Sequence, residues 1–403
     1  MKIGYLYVEQ KRKMKKTILS LALAGLTGLS AQAQINGDGY YRVQNEVSKR
    51  YMSLTDNTST GVDYQTTSVD GSAIVTKKNW DEVVTDPGTI FYLHKVNSDE
   101  YNIKAQGSSL YDMINYYIHL QKIGNIYRAW QTDKNMTIYL NDEYQESIND
   151  LEGYVETLNK KTINWLIKEV NTEDNYLGIK PTAKADGKYY ATFYASFPFS
   201  TVSPDMKVYY VKDIDESTGT IKCQEMSGII PASTPVLIEC SSDAPVNNKV
   251  KPEVSNVAGI KGNLMTGTYF SVGNRTTAHY NSVEFEPETM RVLGVSANGD
   301  LTFNTDNTNM VEVLKRKEGV RPNKYPKILA IPHNTGYLKV SSSCPKELKL
   351  VFETTGIKDI VADDNKPANI YNLNGMIVRK GATTVENLPK GVYIFKNKKV
   401  VVK

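Results

Sequence analysis

The sequence predicts an all-β chain of 403 residues in three parts: a repeated β domain, an antiparallel β-sandwich region and a small C-terminal β domain. Three observations carry this. Tyrosine occurs 27 times against three Trp and nine Phe, and it suits pleated, half-buried surfaces because its ring is apolar while its hydroxyl wants water. Apolar residues alternate in short runs broken by Gly, Pro, Asn and Asp, the rhythm of strands and turns. Only one stretch holds a helical spacing. At 40 % hydrophobic and 23 % charged, the composition is that of a folded chain with room for two or three cores.

Residues 14–33, MKKTILSLALAGLTGLSAQA, place Lys15 and Lys16 before an apolar run from Ile18 to Leu29, followed by Ala31-Gln32-Ala33. This is the pattern of a secretory signal, with cleavage expected between Ala33 and Gln34 and Met14 as the expected start. The run is too short and glycine-interrupted to span a bilayer stably. No cysteine follows the cleavage site to carry a lipid, and no other segment approaches eighteen consecutive apolar residues. The mature chain is therefore expected to carry no transmembrane span.

The first domain is expected over 34–184. Gly37 to Asn57 reads as strand, polar turn, strand, and related units start at Phe91, at Tyr117 and, shorter, at Asn164. Each pairs an alternating strand with a turn and a second strand. This threefold pattern resembles a β-trefoil, the fold of ricin-type lectin modules. Ricin-type repeats carry a Gln-x-Trp; here Phe91-Tyr92-Leu93 and Asn164-Trp165-Leu166 stand in that place, so the resemblance implies a fold without its sugar-binding motif. One helix is expected from about Glu143 to Lys161, where Ile148, Leu151, Val155 and Leu158 make an apolar stripe covering the barrel. Its acidic residues lie early and Lys160 and Lys161 late, as the helix dipole favours. Trp80 and Trp130 sit beside polar, turn-rich sequence, where an exposed indole can stack on a sugar ring. Together with Tyr127 they form the candidate ligand-binding set. The opposing reading is that each indole caps a hydrophobic core.

The punctuation changes over 185–355, where short strands are broken by Pro and Gly at close intervals, as in an antiparallel sandwich. An internal echo runs through it: Ile229-Ile230-Pro231-Ala232-Ser233-Thr234-Pro235-Val236-Leu237-Ile238 matches Ala330-Ile331-Pro332-His333-Asn334-Thr335-Gly336-Tyr337-Leu338-Lys339. A strand pair precedes each copy, Val208–Val211 with Thr220–Gln224 and Met290–Val295 with Leu301–Asn304. The segment resembles a module recurrent in secreted Bacteroidota proteins, which implies no catalytic role.

Residues 356–403 begin with a polar linker, GIKDIVADDNKPAN. Ile370–Asn374 and Met376–Arg379 flank an Asn374-Gly375 turn, whose residues supply the positive φ angles of a tight hairpin. Leu388-Pro389-Lys390-Gly391 then turns into Val392–Lys396, and a basic strand ends at Lys403. IYNLNG, LPKGVYI, the basic turn and the terminal lysine resemble the C-terminal sorting domain of the Bacteroidota type IX secretion system. That resemblance implies delivery to the cell surface or the extracellular space, with the export machinery as partner. An ordinary small β domain, with the chain left in the periplasm, is the alternative.

The formal charge of +4 is concentrated at the ends. Residues 1–33 carry six Lys/Arg against one Glu and the tail nine against four Asp/Glu, which leaves the body at about −6. An acidic body argues against nucleic acid as partner, because phosphate contacts need clustered Lys and Arg. Three cysteines, Cys223, Cys240 and Cys344, are too few for a disulfide framework. Cys223 and Cys240 could face one another and oxidise, though buried small hydrophobes is the favoured reading. Asp213-x-Asp215-x-Ser217-Thr218-Gly219 starts like a calcium loop but lacks glycine at the sixth position and glutamate at the twelfth, so a hairpin turn is expected. His94, His119, His279 and His333 show no metal-ligand spacing, and no nucleophile, phosphate-loop or dinucleotide motif is present. No cofactor is expected. These features point to an exported, non-catalytic binding protein for a glycan or host-matrix ligand. A secreted glycoside hydrolase or peptidase with an unfamiliar site and a structural envelope protein are the alternatives.

Overall fold

A computed structural model describes residues 35–54, 74–77, 79–105, 108–109, 118–133, 136–142, 152–155, 163–203, 205–255, 257–269, 282–315, 320, 324–353, 368–372, 377–385, 387–395 and 398–402. The signal-like segment, with the expected cleavage at Ala33 and Gln34, lies outside these residues, as do His279 and the linker over 356–367. The described chain is nearly all β.

The first module contains β1 (Gly39–Asn45), β2 (Tyr51–Leu54), β3 (Ile74–Lys77), α1 (Trp80–Val83), β4 (Phe91–Lys95), β5 (Glu100–Ala105), β6 (Ser108–Ser109), β7 (Ile118–Ile123), β8 (Ile126–Asp133), β9 (Met136–Asn141), β10 (Glu152–Val155) and β11 (Asn164–Glu169). Six of these strands close on themselves in the order β1-β4-β5-β7-β8-β11 and back to β1, making a barrel. The connectivity repeats along the chain as barrel strand, outlying strands, barrel strand. The hairpin β2–β3 follows β1, β6 pairs with β5, and the hairpin β9–β10 follows β8. Period-two alternation drives closure: Tyr41 and Val43, Phe91 and Leu93, Tyr101 and Ile103, and Tyr127 and Ala129 all turn inward. Trp165 is fully buried among them and its Nε1 donates to the Leu140 carbonyl at 3.0 Å. The β7–β8 turn is the two-residue Gly124-Asn125, with Gly124 at φ 62°.

Within the stretch expected to be helical, Glu152–Val155 is strand β10, paired antiparallel with β9 from Glu152↔Asn141 to Val155↔Ile138. The remainder of 143–161 lies outside the described residues. Helical spacing of apolar residues is a weak prior, and ladder pairing with the outlying strand β9 overrides it here.

The middle region holds β12 (Leu177–Gly178), β13 (Ala183–Ala185), β14 (Lys188–Phe193), β15 (Phe199–Thr201), β16 (Lys207–Asp215), β17 (Thr220–Met226), β18 (Val236–Cys240), β19 (Lys249–Pro252), β20 (Met265–Thr268), β21 (Met290–Val295), β22 (Leu301–Asn304), β23 (Val311–Leu314), β24 (Lys327–Ala330), β25 (Thr335–Lys339) and β26 (Glu347–Glu353). A ten-stranded sheet runs β13-β14-β18-β16-β17-β26-β22-β21-β25-β20. One face, with Ala191, Phe193, Val208, Val236 and Ile238, packs on the small sheet β12-β19-β15. The other face encloses a second core, because the sheet curls and brings β13 and β14 back against β21, β22 and β25.

The internal echo is visible in this sheet. β16 and β17 form a hairpin with β18 beside β16, and β21 and β22 form a hairpin with β25 beside β21. Ser233 and Asn334, matched in the echo, hold φ values of 55° and 54°, and the matched Ile230 and Ile331 are both buried. β26 joins the copies by pairing antiparallel with β22 and parallel with β17. That parallel pair departs from the expected antiparallel sandwich; β26 returns from the second copy and fills the space between the two hairpins.

The calcium-like loop is a hairpin turn between β16 and β17. The Asp215 carboxylate accepts from the Ser217 hydroxyl at 2.6 Å and from the Ser217 and Thr218 amides. These bonds, the Ser217 hydroxyl first, hold its pKa down to about 2. The three cysteines are free and buried. Cys240 faces the core against the small sheet and Cys223 the core on the opposite face, so the two cannot pair.

The last module is a four-stranded sheet in the order β28-β27-β29-β30, with β27 (Ala368–Asn372), β28 (Ile377–Ala382), β29 (Gly391–Phe395) and β30 (Lys398–Val402). It has its own small core of Ile370, Ala382, Tyr393 and Phe395.

Candidate functional site

The barrel carries a row of side chains in cross-strand register on its outer surface. On β8, Tyr127 and Ala129 face the core, so Trp130 faces outward. Directly opposite Trp130 stand His119 on β7 and Tyr139 on β9, and Glu100 on β5 is opposite His119. The imidazole lies flat on the indole, with ring centroids 3.9 Å apart and planes at 10°. The Asp99 carboxylate is 3.4 Å from His119 Nδ1 and the Glu100 carboxylate 3.9 Å from Nε2. The first approach is a close contact and not an aligned hydrogen bond, since Nδ1 has none in the structure. The row thus offers an indole braced by a histidine, a tyrosine beside it and two carboxylates at one end.

Of the three residues expected to bind ligand, Trp130 is in this row and half-buried. Tyr127 is not available: it is 4 % exposed in the barrel core, and its hydroxyl accepts from the Ile35 amide at 2.9 Å. It sits one barrel layer inward because β alternation sends positions 127 and 130 to opposite faces. Trp80 stands in another place, at the start of α1, where the Asn79 side chain caps the helix by accepting from the Asp81 amide. Its ring meets Tyr51 at 5.6 Å and Tyr176 at 6.3 Å, and the Arg42 guanidinium lies 5.6 Å from its centroid. Trp80 therefore helps cover the seam between barrel and sandwich.

That seam is built on Arg42, which is 1 % exposed. Its guanidinium donates to Thr89 Oγ1, Asn175 Oδ1 and the Tyr176 and Val83 carbonyls at 2.8–3.2 Å. Burial lowers its pKa to about 10, opposed by Tyr51, Asp86 and Tyr176. Ile90 of the barrel module packs into the first sandwich core, and Tyr40 places its ring 5.2 Å from Phe197. The Gly178 amide donates to the Val84 carbonyl at 2.8 Å, and a Cβ at Gly178 would lie 2.5 Å from the Pro245 carbonyl oxygen, so this crossing needs glycine.

Beside the seam lies a cleft of about 420 Å³. Glu82, Thr85 and Asp86 line it from the barrel side, Lys180, Thr182, Thr192 and Phe193 from the sandwich, and His333 from the second copy of the echo. Asp86 is 3 % exposed; it accepts from Ser53 Oγ at 2.6 Å and the Gly88 amide at 2.8 Å. His333 Nε2 approaches it at 3.6 Å, so barrel and sandwich contribute one titratable side chain each to this contact. Sequence reading missed this cleft, because its walls come from segments about 90 and 150 residues apart in the chain. The one available signal was His333 itself, which replaces Ala232 in the echo.

Among the described residues no group of three or more His, Cys, Asp and Glu is placed to hold a metal ion. His94 is elsewhere, on the surface, with Nδ1 2.6 Å from Asp38.

No family model and no curated protein matches the chain. Among solved structures it is similar to Cry35Ab1, at 11 % identity and TM-score 0.25 over 46 % of this chain and 63 % of that one. It is also similar to a mosquitocidal holotoxin, at 12 % identity and TM-score 0.26 over 86 % of this chain and 39 % of that one. The chain spans less than two thirds of the length of either. At such scores these similarities carry no argument about ligand or activity.

Proposed function

We propose that the chain is an exported, non-catalytic binding protein of the cell surface or extracellular space, with a glycan or host-matrix protein as ligand. The outward row of His119, Trp130 and Tyr139 is the observation that carries this. A stacked indole beside a tyrosine gives a flat apolar surface of the kind on which the CH face of a sugar ring or an aromatic side chain packs, and Asp99 and Glu100 supply hydrogen-bond acceptors at its edge. The closed circuit of six barrel strands, with outlying strands after β1, β5 and β8, supports a trefoil reading of the module. Export rests on the signal-like residues 14–33 and on the IYNLNG and LPKGVYI features of the tail. Among the described residues no helix is long and apolar enough to cross a membrane.

The test is a glycan and matrix-protein array probed with the full chain and with Trp130→Ala and Trp80→Ala. Trp130→Ala is expected to weaken binding by about fivefold or more, as loss of one stacking ring costs on the order of 1–3 kcal/mol. Trp80→Ala is expected to leave it in place. A blank array, or binding indifferent to Trp130, sinks the proposal.

A further inference from the structure

We propose that the cleft between barrel and sandwich is a second binding site, for a short neutral saccharide. Three features of the cleft point there. Its volume of about 420 Å³ lies within the range of small-molecule sites and holds about one or two sugar rings. Its lining mixes an apolar floor, Ile179, Phe193 and Pro332, with hydroxyls that both donate and accept. Among the described residues the Thr182 and Thr192 hydroxyls make no hydrogen bond and Lys180 makes no ion pair, so these groups are left to face whatever enters. The Glu82 carboxylate is exposed and, among the described residues, accepts from Asn79 Nδ2 alone, at 3.2 Å.

The charge balance selects the ligand class. Glu82 and Lys180 both line the cleft and carry opposite charges. The buried Asp86 has the guanidinium of Arg42 behind it and His333 in front at 3.6 Å. A cleft that presents one exposed charge of each sign gives little to a net anion or cation, whereas its acceptors and donors suit hydroxyl groups. The echo adds an independent reason. Its first copy turns through Pro231-Ala232-Ser233 and its second through Pro332-His333-Asn334, with the same left-handed residue at the end of the turn. The backbone is kept and the side chain that differs at the middle position, His333 for Ala232, is the one aimed at the cleft.

The inference does not rest on the Trp130 row, and its test is arranged to show this. The full chain carrying Trp130→Ala is titrated calorimetrically with a panel of neutral mono- and disaccharides, with hexuronic acids and hexosamines as charged comparators. A neutral sugar is expected to bind, and more weakly by at least tenfold when Glu82→Ala and Lys180→Ala are added. Both of those side chains are exposed, and circular dichroism checks that the fold is retained. His333→Ala is expected to weaken the same sugar without altering array binding in the Trp130 protein. Absence of binding, binding confined to the charged comparators, or affinity unchanged by the cleft variants overturns the proposal. Array binding that fails with Trp130 intact overturns the surface reading instead.

Discussion

Arg42 occupies a place where a cation should be expensive, and its four hydrogen bonds explain why it is tolerated. None of these four acceptors is a carboxylate; two are main-chain carbonyls, one is the Thr89 hydroxyl and one the Asn175 amide oxygen. Removal therefore strands buried acceptors from both modules at once and takes a compensating charge from Asp86. Arg42→Met, which keeps the volume, is expected to destabilise the protein by about 3–5 kcal/mol, read as a lower urea midpoint. A midpoint within the error of the parent would show the seam to be held by Ile90 and Tyr40 alone. The same scale shows what sequence could not disclose. Trp80, Trp130 and Trp165 look alike in sequence, each with at least one polar neighbour. Only pairing sorts them into a seam cover, an outward platform and a core residue. Tyr127 was misplaced because its strand, β8, has no buried-side marker in sequence beyond alternation, whose phase is set by the pairing with β11.

At the scale of elements, the echo was the most legible feature, since Ile-Pro-x-x-Thr is rare enough to be seen twice. The matched turns both end in a residue at φ near 55°, a conformation disfavoured by a Cβ and eased by glycine or asparagine. Asn334 does more than accept that backbone: its Nδ2 donates to the Tyr194 carbonyl at 2.9 Å, and its own carbonyl accepts from the Tyr194 amide. Asn334→Ala is expected to cost about 1–3 kcal/mol, from backbone strain plus a buried bond lost. Asn334→Gly should recover the strain portion only, and equal losses for the two in thermal melts would mean that φ is immaterial there. The helix expected over 143–161 illustrates the opposite limit. Apolar spacing at three and four was read correctly as a pattern, yet β9 offers a ladder partner that no local signal reveals. The parallel pair β17–β26 was hidden for the same reason, as 129 residues separate the paired Lys222 and Val351 while the strands between them fold into the second copy.

The barrel core and the two large sandwich cores hold few charges, and this sets the molecule's response to alkali. Burial pushes the Cys223 and Cys240 thiols from 9 up to about 12, and it raises Tyr40 and Tyr190 from 10 to about 12. Above pH 9 the unfolded chain releases thiol protons that the folded chain keeps, and above pH 10 the same holds for the phenols. The folded state then binds more protons than the unfolded one, so stability falls as pH rises, by about 1.4 kcal/mol per pH unit for each group within its window. The stabilising contribution is complete below pH 9 and disappears as the pH passes through the folded values near 12. Thermal melts at pH 8, 9.5 and 10.5 should show a small loss in the first step and a larger one in the second. The double variant Cys223→Ala and Cys240→Ala starts from a lower melting temperature, because two buried side chains are truncated. Its decline should begin about one pH unit later, where only the tyrosines titrate. A parent protein equally stable at pH 8 and 10.5 would mean that these thiols and phenols reach water without unfolding, and so that the two sandwich cores open locally while the ten-stranded sheet stays paired.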